Sequence, residues 1–381
     1  MYTHIVVKKK IMLCSPPIEA AGGIASWAKN ILEFYHNSYN GSDLDMEFFP
    51  MERKKFIRPS THILVRVISG IKDYSSIIKK FKETVKQVKP DIVHISSSGS
   101  LGLLKDLFIQ RYLVRYNKKK LNKIRIIVHF HFGRIPELKK KRNWEWLLLS
   151  CIVTNADTII VMDSKSLDTL QMSGHANVKL VSNPISDELV QLIKRNSNVF
   201  RIPRKIVFAG HIVPTKGVFE LVKACMQIPN VQLTMMGISE AEIETQLLEL
   251  AKNKGENEWL HIITNQRQSV VIQEMLSSEV FVLPSYTEGF PNVILESMAC
   301  ACSIVASSVG AIPEMLDSES ENPGGICIPP RNVDRLREAL VIMLNEKGFA
   351  GRCAKNAHTK VMEKYSSKII WKSLLNIWLE C

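Results

Sequence analysis

The sequence predicts an α/β protein made of two doubly wound domains, and three observations carry that expectation. Short apolar runs alternate with longer helical patterns, the mark of parallel strands joined by helical crossovers. The runs fall into two series, five in each half of the chain. A length of 381 residues exceeds what one core of ordinary size holds and suits two.

Composition narrows the class further. The chain is 46% hydrophobic and 23% charged, as soluble globular proteins are. No apolar run approaches the roughly 20 residues that span a bilayer. Met1 to Lys10 puts a short apolar patch before three lysines, the reverse of an export signal. Eight cysteines are scattered, with only Cys300 and Cys302 close together and no metal-ligand spacing. Reduced core thiols in a cytoplasmic protein are therefore expected.

The first series comprises Ile11–Cys14, Asp91–Ile95, Arg125–His131, Thr158–Met162 and Val178–Val181, in a domain drawn over 1–185. After its first strand comes Pro16 to Trp27, with Gly22 and Gly23 adjacent. Paired glycines let a ligand approach the backbone and expose N–H groups at the next helix start. Asp43-Leu-Asp45 has the form of a metal-binding D-x-D, but it precedes an apolar piece (Met46 to Phe49) instead of closing a strand. No metal is read there. Tyr74 to Lys86 and Leu107 to Lys120 read as amphipathic basic helices, which pack on a sheet or lie on a membrane surface. At the end of the third strand, alternation puts His129 and His131 on one face. A polar stretch over 186–203, with a helical piece at Asp187 to Lys194, is the expected linker.

The second series comprises Lys205–Gly210, Val231–Gly237, Leu260–Ile263, Val280–Leu283 and Ser303–Ala306, in a domain over 204–360. Its first strand leads into His211, Lys216 and Gly217 at a helix start, where a lysine adds a point charge to the helix dipole. Its fourth ends at Pro284, and turn-formers run to Asn292. Val293 onward reads as a helix with Asn292 as N-cap. Glu288 then sits in the loop and Glu296 one turn into the helix, with amides around Gly289 and Asn292 positioned to welcome a phosphate. Residues 361–381 read as a terminal amphipathic helix with Trp371 and Trp378 on one face. Sheets of this kind bind ligands at the carboxyl ends of their strands, so two such domains are expected to face a cleft.

Charge is unevenly spread. Residues 1–203 hold 33 Lys and Arg against 17 Asp and Glu, net +16; residues 204–381 hold 17 against 20, net −3. Leu103 to Arg142 alone has thirteen basic residues and two acidic. Such a face is either simply solvated or attracts an anionic partner, which would be membrane phospholipid, a lipid diphosphate or nucleic acid. Nucleic acid is not expected, because no zinc-finger, RNP-type or helix-turn-helix pattern is present and aromatics are sparse in the basic run.

The segment from Pro284 to Cys300 resembles the E-x7-E signature of retaining family 4 glycosyltransferases, the group 1 enzymes of GT-B fold. Pro284-Ser285, Glu288-Gly289-Phe290-Pro291 and Val309 to Glu314 match in order, as does Lys216-Gly217. The resemblance implies two Rossmann-like domains facing a cleft, the C-terminal helix returning to the first. It implies that Glu296 takes the ribose hydroxyls of a nucleotide-sugar. Glu288, with the amides of Gly289, Phe290, Pro291 and Asn292, would lie at the sugar and phosphate, and Lys216 at the leaving diphosphate. Gly22 and Gly23 match the family's N-terminal glycine loop, and His131 the histidine that contacts the transferred sugar, with His129 the neighbouring candidate. His211 stands where the family usually has arginine. A neutral imidazole lacks the charged fork of a guanidinium, and its protonation would make diphosphate binding pH-dependent.

No cofactor and no divalent metal is implied. The expected reaction is retaining transfer of a hexose or N-acetylhexosamine from a UDP-sugar to a glycan or lipid-diphosphate-linked saccharide. The setting would be bacterial polysaccharide or lipopolysaccharide-type synthesis, at the inner face of the plasma membrane. A GDP-mannose-dependent mannosyltransferase is the alternative enzyme, and a non-catalytic membrane-surface binding protein the alternative class. A dinucleotide oxidoreductase is excluded because Pro16 to Gly23 lacks G-x-G-x-x-G, and a P-loop enzyme because GxxxxGK[ST] is absent.

Overall fold

The computed structural model describes residues 8–20, 22–51, 63–196, 198–255 and 259–380, with backbone alone for 63–72. Residues 1–7, on which the reading against an export signal rests, lie outside the described residues. The chain divides into two compact units, Met1–Ser182 with Trp371–Cys381, and Asn183–Ile370.

The first unit holds six parallel strands: β1 (Lys9–Ser15), β2 (Leu44–Pro50), β3 (Ile92–Ser97), β4 (Arg125–Phe130), β5 (Thr158–Val161) and β6 (Val178–Leu180). Their order is β2-β1-β3-β4-β5-β6. Central strands covered on both faces read as unbroken apolar runs, and Ile11 to Cys14 is fully buried. The edge strand β2 escaped the sequence reading because it is covered on one side only. Leu44, Met46 and Phe49 are buried, while Glu47 is exposed and interrupts the run.

Alternation sends Met12, Cys14, Val93, Ile95, Val128 and Phe130 to one face, where they form a core with Phe81 and Leu113 of the overlying helices. His94 and His129 point the other way, against Trp27 of the helix Gly23–Asn37. The C-terminal helix, Ser367–Leu379, completes that face. From Trp371 onward it groups with this unit, and Trp378 is fully buried with its indole N–H donating to His94 Nδ1 at 3.1 Å. Trp371 and Trp378 meet edge to face at 5.5 Å, and Arg125 ties down the helix end through the carbonyls of Ile377 and Glu380. Trp378→Ala is expected to cost about 3–5 kcal/mol, read as a lower denaturant midpoint.

The second unit holds β7 (Ile202–Ala209), β8 (Gln232–Gly237), β9 (Leu260–Thr264), β10 (Ser278–Leu283), β11 (Ser303–Ser307) and β12 (Ile326–Ile328). All are parallel, in the order β12-β11-β10-β7-β8-β9. The chain steps outward from β7 to β9, then returns to place β10 on the other side of β7. That reversal makes a topological switch point between β7 and β10, and the crevice outside their carboxyl ends is where ligands bind in such sheets.

The stretch expected as a linker carries a helix of this unit, Asp187–Arg195. Ser186 Oγ caps it by accepting from Leu189 N–H at 3.1 Å, with acidic residues in the first turn and basic ones in the last. Among the described residues no helix is long and apolar enough to cross a membrane.

Candidate functional site

Three loops meet at the switch point of the second unit. The loop after β7 runs through His211 and a short 3-10 turn, Pro214–Lys216, into the helix Val218–Met226. The loop after β10 runs from Pro284 to the helix Asn292–Ala299. Backbone bonds tie them: Tyr286 N–H donates to Thr215 O at 2.9 Å, and Ala311 N–H, after β11, donates to Gly289 O at 2.9 Å. Two glycines permit these approaches. Gly217 has φ +71°, and a Cβ there would lie 2.1 Å from Pro284 O; at Gly310, φ +56°, it would lie 2.4 Å from Glu288 O. No side chain fits either place. Tyr286 is pinned in turn by donating to Glu220 Oε1 at 2.7 Å, beneath the Arg331 guanidinium.

This knitting brings Lys216 onto Glu288, 72 positions away. The ammonium is 2.5 Å from Glu288 Oε1, and Ser285 Oγ donates to the same oxygen at 2.6 Å. Glu288 is nearly covered and Lys216 half-buried, so the pair is fixed while the lysine keeps an open side. Glu296 stands on the next helix, and Gln268 Nε2 donates to its Oε1 at 2.8 Å. Burial pushes the Glu296 carboxyl up to about 7, against the opposing pull of the Gln268 amide. A carboxyl half-charged at neutrality responds strongly to any hydrogen-bond donor that arrives.

Asn292 corrects the sequence reading. It is the first residue of its helix, with Pro291 in the capping position and no side-chain cap. Its Oδ1 is occupied by Asn183 Nδ2 at 2.8 Å, which also lies 3.3 Å from Phe290 O. Asn183 therefore props the loop between the glutamates, and Phe290 is buried edge to face against Tyr365. Sequence reasoning missed Asn183, Gln268 and Ser285 as site residues. Only Ser285, inside the motif, carried a local signal. His211, two residues past the end of β7, is exposed.

In the first unit, Gly22 precedes the helix Gly23–Asn37 with φ +129°, and a Cβ there would meet nothing within 4 Å. The space beside the backbone at Gly22 is therefore open. His131 differs from expectation. Its ring stacks 3.9 Å from His129 and 4.8 Å from Trp27, with both nitrogens covered and without a hydrogen-bond partner. The structure does not present a free imidazole nitrogen to a ligand there. His94, His129 and His131 cluster around Trp27, and burial holds all three well below the ordinary imidazole range, His94 and His131 at about 3. Because Trp378 donates to His94 Nδ1, the proton of that ring sits on Nε2.

These imidazoles fix an acid response. Below pH 6.5 the unfolded chain takes up protons that the folded unit refuses, so stability falls as pH drops. Melting temperature is expected to decline steadily from pH 6.5 toward 4.5, and His129→Gln to flatten that decline.

Asp43 and Asp45 lie at the amino end of β2, away from the carboxyl edge, where Asp45 pairs with Lys10 and Asp43 accepts from Tyr39. Among the described residues no three His, Cys, Asp or Glu side chains group so as to hold a metal ion.

Comparison with known proteins bears on the family and the fold. The family model of glycosyl transferases group 1 matches residues 190–360. The capsular polysaccharide biosynthesis glycosyltransferase CapM of Staphylococcus aureus is 24% identical over 354 residues, 86% of this chain and 87% of its own. Sucrose-phosphate synthase from Thermosynechococcus elongatus superposes with a TM-score of 0.76 at 18% identity, covering 97% of this chain and 98% of its own. HepE of Anabaena, in complex with UDP and glucose, gives 0.69 at 15% identity, with 98% and 100% covered. The fold is the GT-B fold, two parallel six-stranded sheets with flanking helices.

Proposed function

Residues 190–360 match the model of the glycosyl transferases group 1 family, and from that premise we propose that the chain is a retaining, family 4-type hexosyltransferase working without a divalent cation. Its donor is a UDP-hexose or UDP-N-acetylhexosamine, and its acceptor a glycan or lipid-diphosphate-linked saccharide of a bacterial surface polysaccharide. The name of CapM and the UDP and glucose bound to HepE support the substrate classes. The observation that carries the reading is the Lys216–Glu288 pair at the switch point, with Glu296 one turn into the next helix.

In this reading the Glu296 carboxylate accepts from the ribose hydroxyls. The diphosphate lies against the start of the helix Asn292–Ala299 and beside the open side of Lys216. Breaking the bond from C1 to the phosphate oxygen leaves the electron pair on the departing diphosphate, and Lys216 meets that growing charge. The acceptor hydroxyl attacks C1 from the same face and passes its proton to the departing oxygen, so no covalent nucleophile is needed. Glu288, clamped by Ser285 and Lys216, sets the ammonium position and borders the sugar. His211 leaves the diphosphate without the usual guanidinium, which puts more of its neutralisation on Lys216 and the backbone amides.

The test is transfer from individual UDP-sugars to a short lipid-diphosphate saccharide, with the new linkage examined by NMR. Product with the anomeric configuration of the donor, formed equally in excess chelator, is the expected result. Inverted product or strict dependence on magnesium contradicts it.

A further inference from the structure

We propose that the first unit docks on an anionic lipid bilayer through the outer faces of two neighbouring helices, Gly102–Asn117 and Trp144–Thr154. The helices belong to successive right-handed crossovers of the same sheet, so they lie in one layer on it. They are side by side, because Gln110 Nε2 donates to Ile152 O at 2.8 Å. Near their starts, Arg134 bridges Ser100 Oγ and Glu145 Oε2.

Their outward sides carry large apolar residues. Leu101 is 57% exposed, Phe108 52%, Trp144 48% and Leu147 63%. Trp144 and Leu147 are three apart on one helix, and Leu101 and Phe108 are seven apart at the other, so each pair shares a face. Exposed apolar groups scattered singly need no explanation, but a matched pair on each of two adjacent helices does. A tryptophan at the start of the patch suits the headgroup level of a bilayer.

The charge around the patch selects the occupant. Lys140, Lys141 and Arg142 are exposed immediately before Trp144, and Arg111 and Arg115 lie on the outward side of the other helix. Of the acidic residues nearest them, Glu145 is buried against Arg134 and Asp106 is buried beside Lys105, which leaves Glu137 as the exposed carboxylate against these five exposed cations. Apolar anchors flanked by a clear excess of exposed cations match an anionic membrane surface. They do not match nucleic acid, since the exposed residues are largely aliphatic or isolated and offer no row of rings for base stacking. The inference needs no donor chemistry and stands apart from the reading of Lys216 and Glu296.

The experiment is flotation of the full chain with vesicles of phosphatidylcholine alone, or mixed with phosphatidylglycerol. Binding is expected only to the mixed vesicles and to weaken steeply with salt. Neutralising Lys140, Lys141 and Arg142 together is expected to weaken it roughly a hundredfold. Trp144→Ser with Leu147→Ser is expected to weaken it about tenfold or more at every salt concentration. Both variants should keep the wild-type melting temperature and the wild-type response to nucleotide, because these side chains are exposed and lie outside the second unit. Equal binding to both vesicle types, unchanged binding by both variants, or binding to DNA oligonucleotides with none to vesicles overturns the proposal. A loss of nucleotide response with vesicle binding intact would instead strike the donor-site reading alone.

Discussion

Lys216→Ala is expected to lower sugar transfer about a hundred- to a thousandfold, the usual cost of removing one preorganised group that meets charge in the transition state. The ammonium sits 2.5 Å from Glu288 Oε1, so its removal does more than delete a positive charge. It leaves a nearly covered carboxylate, still held by Ser285 Oγ, where a diphosphate has to come. Repulsion then adds to the lost stabilisation, and donor affinity should fall together with kcat. Adding Glu288→Gln to Lys216→Ala removes that repulsion and is expected to restore part of the donor affinity without restoring kcat. Steady-state kinetics on the two variants separates these effects. Full kcat in Lys216→Ala would mean that the leaving group is stabilised elsewhere.

Nucleotide binding is expected to strengthen as pH rises through about 7 and to release a proton below that point. The cause is Glu296, whose carboxyl burial pushes up to about 7. Ribose hydroxyls donate to the charged form and so favour it. Below about pH 7 the free protein must lose a proton before it accepts them, and affinity should fall by up to about tenfold per pH unit. Calorimetric titration in two buffers of different ionisation enthalpy counts the proton directly. The same group sets a stability slope. Between the ordinary value of 4.5 and about 7, the folded chain holds a proton that the unfolded chain has lost, so this contribution is full below 4.5 and disappears as pH rises through 7. The buried imidazoles of the first unit act in the opposite direction over part of that window. The difference between wild type and Glu296→Gln, not the raw profile, therefore carries the sign. Glu296→Gln should abolish the proton release and the strengthening of affinity as pH rises through about 7.

Most strands legible in the sequence are those covered on both faces, because such strands read as unbroken apolar runs; the edge strands β6 and β9 were legible as short apolar runs although partly exposed. The edge strand β2 is broken by Asp45 and Glu47, and β12 is only three residues long, Ile326–Ile328. Neither rises above local background. At the site, Glu288, Glu296 and the Lys216-Gly217 pair were visible because loop and helix-start chemistry concentrates within a few positions. Gln268 and Asn183 were not, since each reaches its partner from another element, 28 and 109 positions away. Asn292 was misread as a cap because its type and place fit one, while its side chain is taken by Asn183. His131 shows the same limit. Its position at a strand end was readable, but the ring packing against His129 and Trp27 was not.

The most direct test of the donor site is thermal denaturation of the protein with UDP, GDP, ADP and their common sugar conjugates, with and without magnesium, in wild type and Glu296→Ala. A nucleotide at about 100 times its dissociation constant adds roughly 2.7 kcal/mol of apparent stability. The expected result is a rise in melting temperature with uridine nucleotides, the same without magnesium and absent in Glu296→Ala. A rise that survives Glu296→Ala undiminished, or no rise with any nucleotide, would contradict the site at the switch point of β7 and β10.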